Sequence, residues 1–247
     1  MMLDQIDAAV SLSLPPRLQS LIQTLRRQQD FSPEVACHCV QSANLQAEDL
    51  RFWADFDHPL ADSYGRHLVY DGGTFEIMVM SWSPGDFSAV HDHGSAQWGA
   101  VQSFGPAEHS VYRLQHHQLS TEAIMPFSAG TVIPVDHTLI HQMGNPSQEP
   151  FLSLHVYGSD AQGPITGSAR IFDLFAGSVQ FTDGGVFFCL PQDQVTRELP
   201  GLSGDRPTTL RHHQQMLDRI QRMPAPLSVS LQHMAQDLAL QIQALQG

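Results

Sequence analysis

The spacing of apolar residues changes twice along the chain and separates two helical ends from a middle of a different kind. Near the N-terminus, apolar residues recur at the i, i+3, i+4, i+7 spacing of a helix face: Leu18, Leu21, Ile22 and Leu25. Ser13 is the predicted cap of this helix, and Pro15-Pro16 lie in its first turn. Ser32-Pro33-Glu34 is a second start signal, and a third short helix is predicted around Leu50 and Trp53.

From about Arg66 the sequence changes to short runs that are rich in β-branched and aromatic residues. Glycine, proline, aspartate and serine separate these runs, which lie at residues 74–82, 96–104, 130–135, 150–157 and 184–190. Many short strands at close spacing, with no helical stretch between them, predict an all-β barrel or sandwich.

Helical spacing returns after Pro200. A helix is predicted over 210–223, Pro224 and Pro226 interrupt it, and Ser228 opens a last helix. One stripe of this last helix is apolar: Leu231, Met234, Leu238, Ile242 and Leu245. Such a stripe is typical of core packing or of a dimer contact.

The chain therefore divides into a helical N-terminal segment (1–60), a β-barrel domain (61–195) and a C-terminal helical extension (200–247). Its 247 residues are 42% hydrophobic and 15% charged, a balance that supports a sizeable core. Twelve Lys and Arg against 25 Asp and Glu give a net charge of −13. That charge repels polyanions, so nucleic acid and acidic membrane surfaces are excluded as expected partners.

Three cysteines in 247 residues do not make a disulfide scaffold, which indicates a reducing compartment. The N-terminus lacks a basic region followed by an apolar core, so no secretory signal is predicted. No apolar run approaches the roughly 18 residues of a membrane span. These three observations predict a cytoplasmic protein without a membrane partner.

The chain has 14 histidines, and two of them form the motif His91-Asp92-His93. Side chains at i and i+2 of a strand share a face, about 7 Å apart, which suits two ligands of one metal ion. The wider pattern is G-x5-H-x-H-x11-G followed by G-x10-H-x3-N, carried by Gly85, His91, His93, Gly105, Gly130, His141 and Asn145. His137 competes with His141 as the third ligand, and the H-x3-N spacing favours His141.

These two motifs resemble those of the cupin barrel. Ser153, His155 and Tyr157 follow at i, i+2 and i+4 of one predicted strand. Together with the stretch 64–93, they make the sequence similar to the thiol dioxygenases, in particular the cysteine dioxygenase branch. The resemblance covers about residues 60–190 and implies a mainly β, cupin-type barrel (double-stranded β-helix, or jelly roll) with helical additions at both ends.

The resemblance also implies a role for each matching residue. It makes His91, His93 and His141 the ligands of a mononuclear Fe(II). It pairs Arg66 with the substrate carboxylate and sets Tyr64 beside it. It makes Ser153, His155 and Tyr157 a hydrogen-bonded relay, with the Tyr157 hydroxyl facing substrate and oxygen.

The chemistry of these side chains agrees with that reading. Imidazole suits Fe(II), although Ni, Co, Mn and Cu also accept it. Three neutral ligands leave the site cationic, and a metal-bound thiol loses its proton readily. An arginine fork binds a carboxylate in bidentate geometry. Together with this chemistry, the resemblance implies L-cysteine and O2 as the first-choice substrates and cysteine sulfinic acid as the product.

The sequence departs from the family pattern at three places. Trp98 stands where animal members carry the cysteine that is crosslinked to the relay tyrosine, so no thioether forms there, and its indole is predicted to narrow the substrate pocket. Asp136 and Thr138 replace the proline and glycine of the second cupin motif. Gly158-Ser159 replaces the Ser-Pro that follows the relay tyrosine.

Two alternatives stay open at this stage. One is a dioxygenase for another small thiol, such as 3-mercaptopropionate. Such relatives usually carry glutamine at the place of Arg66, so the arginine speaks against it. The other is a non-catalytic metal- or ligand-binding cupin, in which Trp98 fills the space that a substrate needs.

Other residues that could be taken for functional sites have simpler explanations. Cys37-His38-Cys39 lacks a second pair and is read as helix packing, and Cys189 as a buried small hydrophobe. His116-His117 and His212-His213 are read as solvated. A serine hydrolase built on Ser153 is excluded, because i and i+2 positions of one strand do not set a nucleophile against its base and no elbow motif is present.

Overall fold

Three short helices open the computed structural model, which describes residues 14–59, 62–160 and 164–247. They are α1 (Pro16–Arg27), α2 (Pro33–Ala43) and α3 (Ala47–Leu50), and a 3-10 turn, Arg51–Trp53, follows. α1 buries the four predicted residues Leu18, Leu21, Ile22 and Leu25. Ser32 caps α2 by accepting a hydrogen bond from the amide of Val35, as predicted. The other predicted cap, Ser13, lies outside the described residues.

Twelve strands follow. They are β1 (Gly65–Asp71), β2 (Phe75–Trp82), β3 (Trp98–Ser103), β4 (Ala107–Gln115), β5 (Gln118–Phe127), β6 (Val132–Asp136), β7 (Ile140–Gly144), β8 (Phe151–Gly158), β9 (Ala169–Asp173), β10 (Ser178–Thr182), β11 (Arg197–Pro200) and β12 (Ser203–Gly204). They form a five-stranded sheet (β1-β2-β8-β3-β6), a four-stranded sheet (β12-β5-β4-β7) and a three-stranded sheet (β11-β10-β9). The fold is the predicted cupin-type barrel with helices at both ends.

The three central strands of the five-stranded sheet, β2, β8 and β3, are buried on both faces. On its outer face, alternate residues such as Ile77, Ala100 and Leu154 pack with α1 and α2 in one apolar cluster. On its inner face, Met80 and Trp82 meet residues of the four-stranded sheet in a second cluster. Because side chains alternate along a strand, the two faces of the same strands serve different purposes: the outer face anchors the helices and the inner face lines the barrel.

Two boundaries of the barrel differ from the prediction. The strands do not stop at residue 195, since β11 pairs with β10 and β12 pairs with β5. The stretch 184–190 forms turns and irregular backbone instead of a last strand. It nevertheless contacts the segment that precedes His91, since the amide of Ala89 donates to the carbonyl of Val186. Gly184 and Gly185 precede the apolar run and interrupt strand pairing.

The C-terminal extension consists of α4 (Arg206–Arg222) and α5 (Val229–Gln246). α5 has its predicted cap Ser228, and α4 begins before the predicted start and is capped by Asp205. The prediction that His212 and His213 are solvated is wrong: both are buried, because this face of α4 packs on the barrel and on α5. Within the described ranges, none of the helices has both the length and the apolar character needed to cross a membrane.

Candidate metal and substrate site

The inner face of the five-stranded sheet carries one half of the site. In β8, the side chains of Ser153, His155 and Tyr157 alternate onto this face and are buried. Arg66 in β1 is paired with Met80 of β2, and Met80 is paired with Ser153 of β8. Since residues directly opposite each other in antiparallel strands share a face, the register brings Arg66 to the face that holds the relay residues.

The other half comes from an irregular segment between β2 and β3. The His91-Asp92-His93 motif was predicted on a regular strand, and the structure instead gives His91 only isolated bridges to His141 in β7 and to Ile171 in β9. His93 begins a turn in which its carbonyl accepts from the amide of Ala96. Few consecutive pairings form because the segment lies between β7 and β9 and then turns away.

The three histidines of the motifs converge at this place. One ring nitrogen from each of His91, His93 and His141 lies within 4.8 Å of the other two, and all three side chains are buried. Both nitrogens of His93 and Nε2 of His141 have no hydrogen-bond partner among the described residues. Buried polar atoms are nearly always satisfied. The orphaned nitrogens therefore fit a metal ion, and these residues can hold one. His137 is exposed, so it is not the third member.

Hydrogen bonds orient two of the three imidazoles. Nδ1 of His91 donates to the carbonyl of Ala89 (2.9 Å), and Nδ1 of His141 lies 2.8 Å from Nε2 of His109. Each bond occupies Nδ1 and leaves Nε2 for the shared space. Burial lowers the pKa of all three motif histidines, that of His91 to about 4. The cluster is therefore neutral at physiological pH, as metal ligation requires.

His109 is a residue of this site that the sequence analysis missed. It lies in β4, is buried, and is the only described side chain within hydrogen-bond distance of His141. Burial lowers the pKa of His109 to about 4, so its ring is neutral. A neutral Nε2 can accept the Nδ1–H of His141, which is the tautomer that leaves His141 Nε2 free for a metal ion. The sequence analysis predicted no strand over 107–115, so nothing in the sequence marked this histidine as core-facing.

The histidine cluster opens into a small cavity of about 50 Å³. This volume holds only a few water-sized molecules and suits a small substrate. Its lining includes the three motif histidines, Tyr64, Arg66, His155 and Tyr157, with apolar walls from Met78, Met80, Met143 and Val186. The cavity thus combines a candidate metal site, a guanidinium and a phenol within apolar walls.

Arg66 is the cationic group of this cavity. Among the residues that the structure describes, its guanidinium forms no ion pair. Tyr64 lies two residues before it, and the Tyr64 hydroxyl accepts a bond from the amide of Val186 (3.3 Å). An unpaired guanidinium beside a cavity is suited to an anionic group of a ligand, such as a carboxylate.

The relay residues form a continuous chain of short contacts. Ser153 Oγ lies 2.7 Å from His155 Nε2, and His155 Nδ1 lies 2.8 Å from the Tyr157 hydroxyl. On the other side of Ser153, the indole nitrogen of Trp82 lies 2.8 Å from Oγ. Burial lowers the pKa of His155 to about 3 and raises the pKa of Tyr157. His155 is therefore neutral and Tyr157 keeps its proton.

Trp98 does not line the cavity, so the prediction that its indole narrows the substrate pocket is wrong. It is paired with Gly158, its ring stacks on Phe31 with centroids 4.0 Å apart, and it belongs to the outer cluster. Gly99 is the residue of β3 that faces Tyr157, and a Cβ there would lie 2.7 Å from the Tyr157 ring. The side chain alternation of β3 is the physical reason.

The remaining departures from the motif pattern are local. Asp136 Oδ1 accepts from the amides of Thr138 and Leu139 and so closes the turn before β7. Gly158 leaves room for the Trp98 indole, whose Cζ2 would be 1.9 Å from an added Cβ. Neither change reaches the motif histidines.

Fold and site together define a cupin-type barrel with a buried cluster of three histidines that could hold a metal ion. Comparison with known proteins narrows this class. The sequence model of the family "Cysteine dioxygenase type I" matches residues 4–162, and the chain belongs to this family. Members act on a small thiol with O2 and depend on a metal. Cysteine dioxygenase type 1 of Danio rerio is 27% identical over 174 residues, which cover 66% of this chain and 82% of that protein.

Two solved structures that resemble this protein each cover less than half of its chain. A protein from Thermus thermophilus is 18% identical with a TM-score of 0.36 and covers 47% of this chain and 98% of its own. A cupin 2 conserved barrel domain protein from Salinispora arenicola is 21% identical with a TM-score of 0.34 and covers 43% of this chain and 85% of its own. The strand topology described above carries the fold assignment.

Proposed function

We propose that this protein is an Fe(II)-dependent thiol dioxygenase that oxidises L-cysteine with O2 to cysteine sulfinic acid. The observation that carries the proposal is the meeting of three groups in one small cavity. They are three neutral histidines, two of which have nitrogens without a partner among the described residues, the Arg66 guanidinium, which has no ion pair in the described part of the chain, and the Tyr157 hydroxyl, which His155 holds by a hydrogen bond. Membership of the family supplies the class of substrate.

His91, His93 and His141 would hold the iron. Bound Fe(II) would supply the redox chemistry between a thiolate and O2. No anionic side chain belongs to the described three-residue cluster, so the ion's double positive charge would not be neutralised by its three protein ligands. Such a site favours the thiolate over the thiol of an incoming substrate.

Arg66 would bind the substrate carboxylate and thereby orient the thiol toward the histidines. The apolar walls, among them Met78, Met80 and Val186, keep water from the reacting sulfur. Tyr157 reaches the same space with a protonated hydroxyl. The protein thus contributes orientation and electrostatics, and the bound metal contributes the redox step.

The overall reaction is balanced without a further reductant. A thiol and one O2 molecule give a sulfinic acid, because both oxygen atoms are transferred to sulfur. The site therefore needs no second redox cofactor.

The first test is oxygen uptake by protein loaded anaerobically with iron, with L-cysteine and 3-mercaptopropionate run in parallel and the sulfinate products identified. Uptake with cysteine and formation of cysteine sulfinate support the proposal. Oxygen uptake with 3-mercaptopropionate alone would support the proposed enzyme class and contradict the proposal that L-cysteine is the substrate. If protein that retains its iron takes up no oxygen with either thiol, a non-catalytic cupin would be favoured.

Arg66→Gln tests the carboxylate assignment. We expect kcat/KM for cysteine to fall by roughly tenfold to a hundredfold, because a charge-assisted hydrogen bond is lost. The loss with 3-mercaptopropionate should be much smaller, since glutamine stands at this place in the enzymes that the resemblance associates with that thiol. Arg113→Gln, at an exposed position of β4, is the control. Unchanged cysteine turnover in Arg66→Gln would contradict the assignment.

A further inference from the structure

Trp82 is the first member of the chain of contacts that ends at Tyr157. Its indole nitrogen lies 2.8 Å from Ser153 Oγ, and both side chains are fully buried. An indole N–H donates a hydrogen bond and accepts none. Ser153 Oγ therefore accepts on the side of Trp82.

The hydroxyl hydrogen of Ser153 has one possible acceptor among the described residues. Among the described residues, the hydrogen-bond contacts of Ser153 Oγ are with Trp82 Nε1 and His155 Nε2. The first is a donor, so the hydrogen goes to His155 Nε2. The opposite arrangement, in which His155 donates to Ser153, leaves a buried hydroxyl hydrogen without an acceptor, and such groups are rare and costly.

The tautomer of His155 follows from this. With Nε2 as acceptor, a neutral imidazole carries its hydrogen on Nδ1. Nδ1 then donates to the Tyr157 oxygen at 2.8 Å. No second contact of the Tyr157 hydroxyl is present among the described residues, so its own hydrogen is available to the cavity.

We propose that Trp82 is a positioning residue that fixes the direction of the chain Trp82→Ser153→His155→Tyr157, so that Tyr157 meets an anionic group of the bound ligand as a hydrogen-bond donor. The identity of that ligand rests on the function proposed above, whereas the direction of the chain does not. Burial raises the pKa of Tyr157 and lowers that of His155, so both stay in the protonation states that this chain requires.

The contribution of Trp82 is specific to its N–H. With the indole present, Ser153 accepts one bond and donates the other, and only one direction satisfies both. Without the indole N–H, the Ser153 hydroxyl either donates to His155 Nε2 or accepts from it, and each arrangement uses only one of the two hydrogen-bonding roles of the hydroxyl. The two His155 tautomers then become comparable in free energy. Trp82→Phe is a suitable variant because Trp82 also stacks on Tyr64, with centroids 4.7 Å apart, and a phenyl ring keeps an aromatic surface there.

The experiment is long-range ¹H–¹⁵N correlation spectroscopy of metal-free protein labelled at histidine, with the His155 signals assigned by their loss in His155→Gln. In the wild-type protein we expect the Nδ1–H tautomer to dominate by more than about tenfold. A dominant Nε2–H tautomer would overturn the direction of the chain. The readout needs neither metal nor turnover, so an inactive protein could still confirm the inference.

Trp82→Phe should give a mixture of both tautomers. Trp98→Phe is the matched control: it removes an indole N–H from the outer face of the same sheet, where Trp98 Nε1 has no partner in the described part of the chain. It should leave the His155 signals unchanged. If Trp82→Phe keeps the wild-type tautomer ratio, or if Trp98→Phe changes it equally, the role of Trp82 is overturned. Should Trp82→Phe not fold, Ser153→Ala takes its place: it removes the hydroxyl through which Trp82 acts on His155 Nε2, so the Nδ1–H tautomer should lose its roughly tenfold dominance.

Discussion

The protein buries two groups of histidines that differ in how their nitrogens are satisfied. His91, His93 and His141 meet in the barrel, where both nitrogens of His93 and Nε2 of His141 have no hydrogen-bond partner among the described residues. His212 and His213 of α4 lie at the interface with α5, where His213 Nε2 donates to Gln241 Oε1 (2.8 Å) and the two Nδ1 atoms are 3.3 Å apart. Burial lowers the pKa of the histidines in both groups, that of His212 to about 3.

Burial and neutrality therefore do not distinguish a metal site from a packing contact. The difference lies in the nitrogens, because a buried nitrogen without a partner costs free energy unless a ligand satisfies it. The α4 pair has protein partners and has no third ligand in the part of the chain that the structure describes, whereas the barrel cluster brings three ligand nitrogens within 4.8 Å.

The largest expected effect tests this distinction directly. His93→Ala should reduce Fe(II) or Co(II) affinity by more than about a hundredfold, since losing a ligand exceeds the tenfold to hundredfold cost of losing an outer partner. His213→Ala should lower thermal stability and leave metal affinity unchanged. Metal titration of both variants decides the matter. Equal losses of affinity would show that the two groups do not differ as argued.

His109→Leu should have the next largest effect. Removal of the acceptor frees the ring and tautomer of His141, so metal affinity should fall by roughly tenfold to a hundredfold. His109→Gln can restore an acceptor and should recover part of the loss. His117→Leu, in the exposed turn between β4 and β5, is the control. An affinity in His109→Leu equal to that of the wild type would assign His109 to packing alone.

The smallest expected effect concerns acid stability of the metal-free protein. Burial lowers the pKa of His212 in the folded state to about 3. The unfolded state therefore binds more protons than the folded state between about pH 3 and about pH 6.5. The free energy of unfolding therefore falls as pH drops through this range. His212→Phe should reduce the proton uptake on unfolding by about one per molecule, measured from urea midpoints between pH 4 and 7. An unchanged pH dependence would contradict the buried neutral state of His212.

The C-terminal helices have a structural contribution that the sequence did not reveal. Arg219 of α4 is fully buried and donates to the carbonyl of Asp62, just before Tyr64. It also lies 3.7 Å from Asp86, in the loop that leads to His91. α4 therefore contacts both the segment that leads to Tyr64 and the loop that leads to His91, and it helps to position the cavity residues of these two segments.

The sequence by itself determined several of the elements and the three candidate metal ligands. Helical spacing gave α1 and the capped starts of α2 and α5, and alternating runs gave β2, β3, β6 and β8. Motif spacing selected His91, His93 and His141 from 14 histidines. These features could be predicted because they are local: they depend on residues a few positions apart.

Only the tertiary structure decided which face and which neighbour each residue has. Register placed Trp98 outside the barrel and Gly99 beside Tyr157, packing buried His212, and strand pairing brought His109 to His141 and Trp82 to Ser153. These contacts join residues 32 and 71 positions apart. A shift of one residue in strand register reverses every side chain, so no local pattern could specify them.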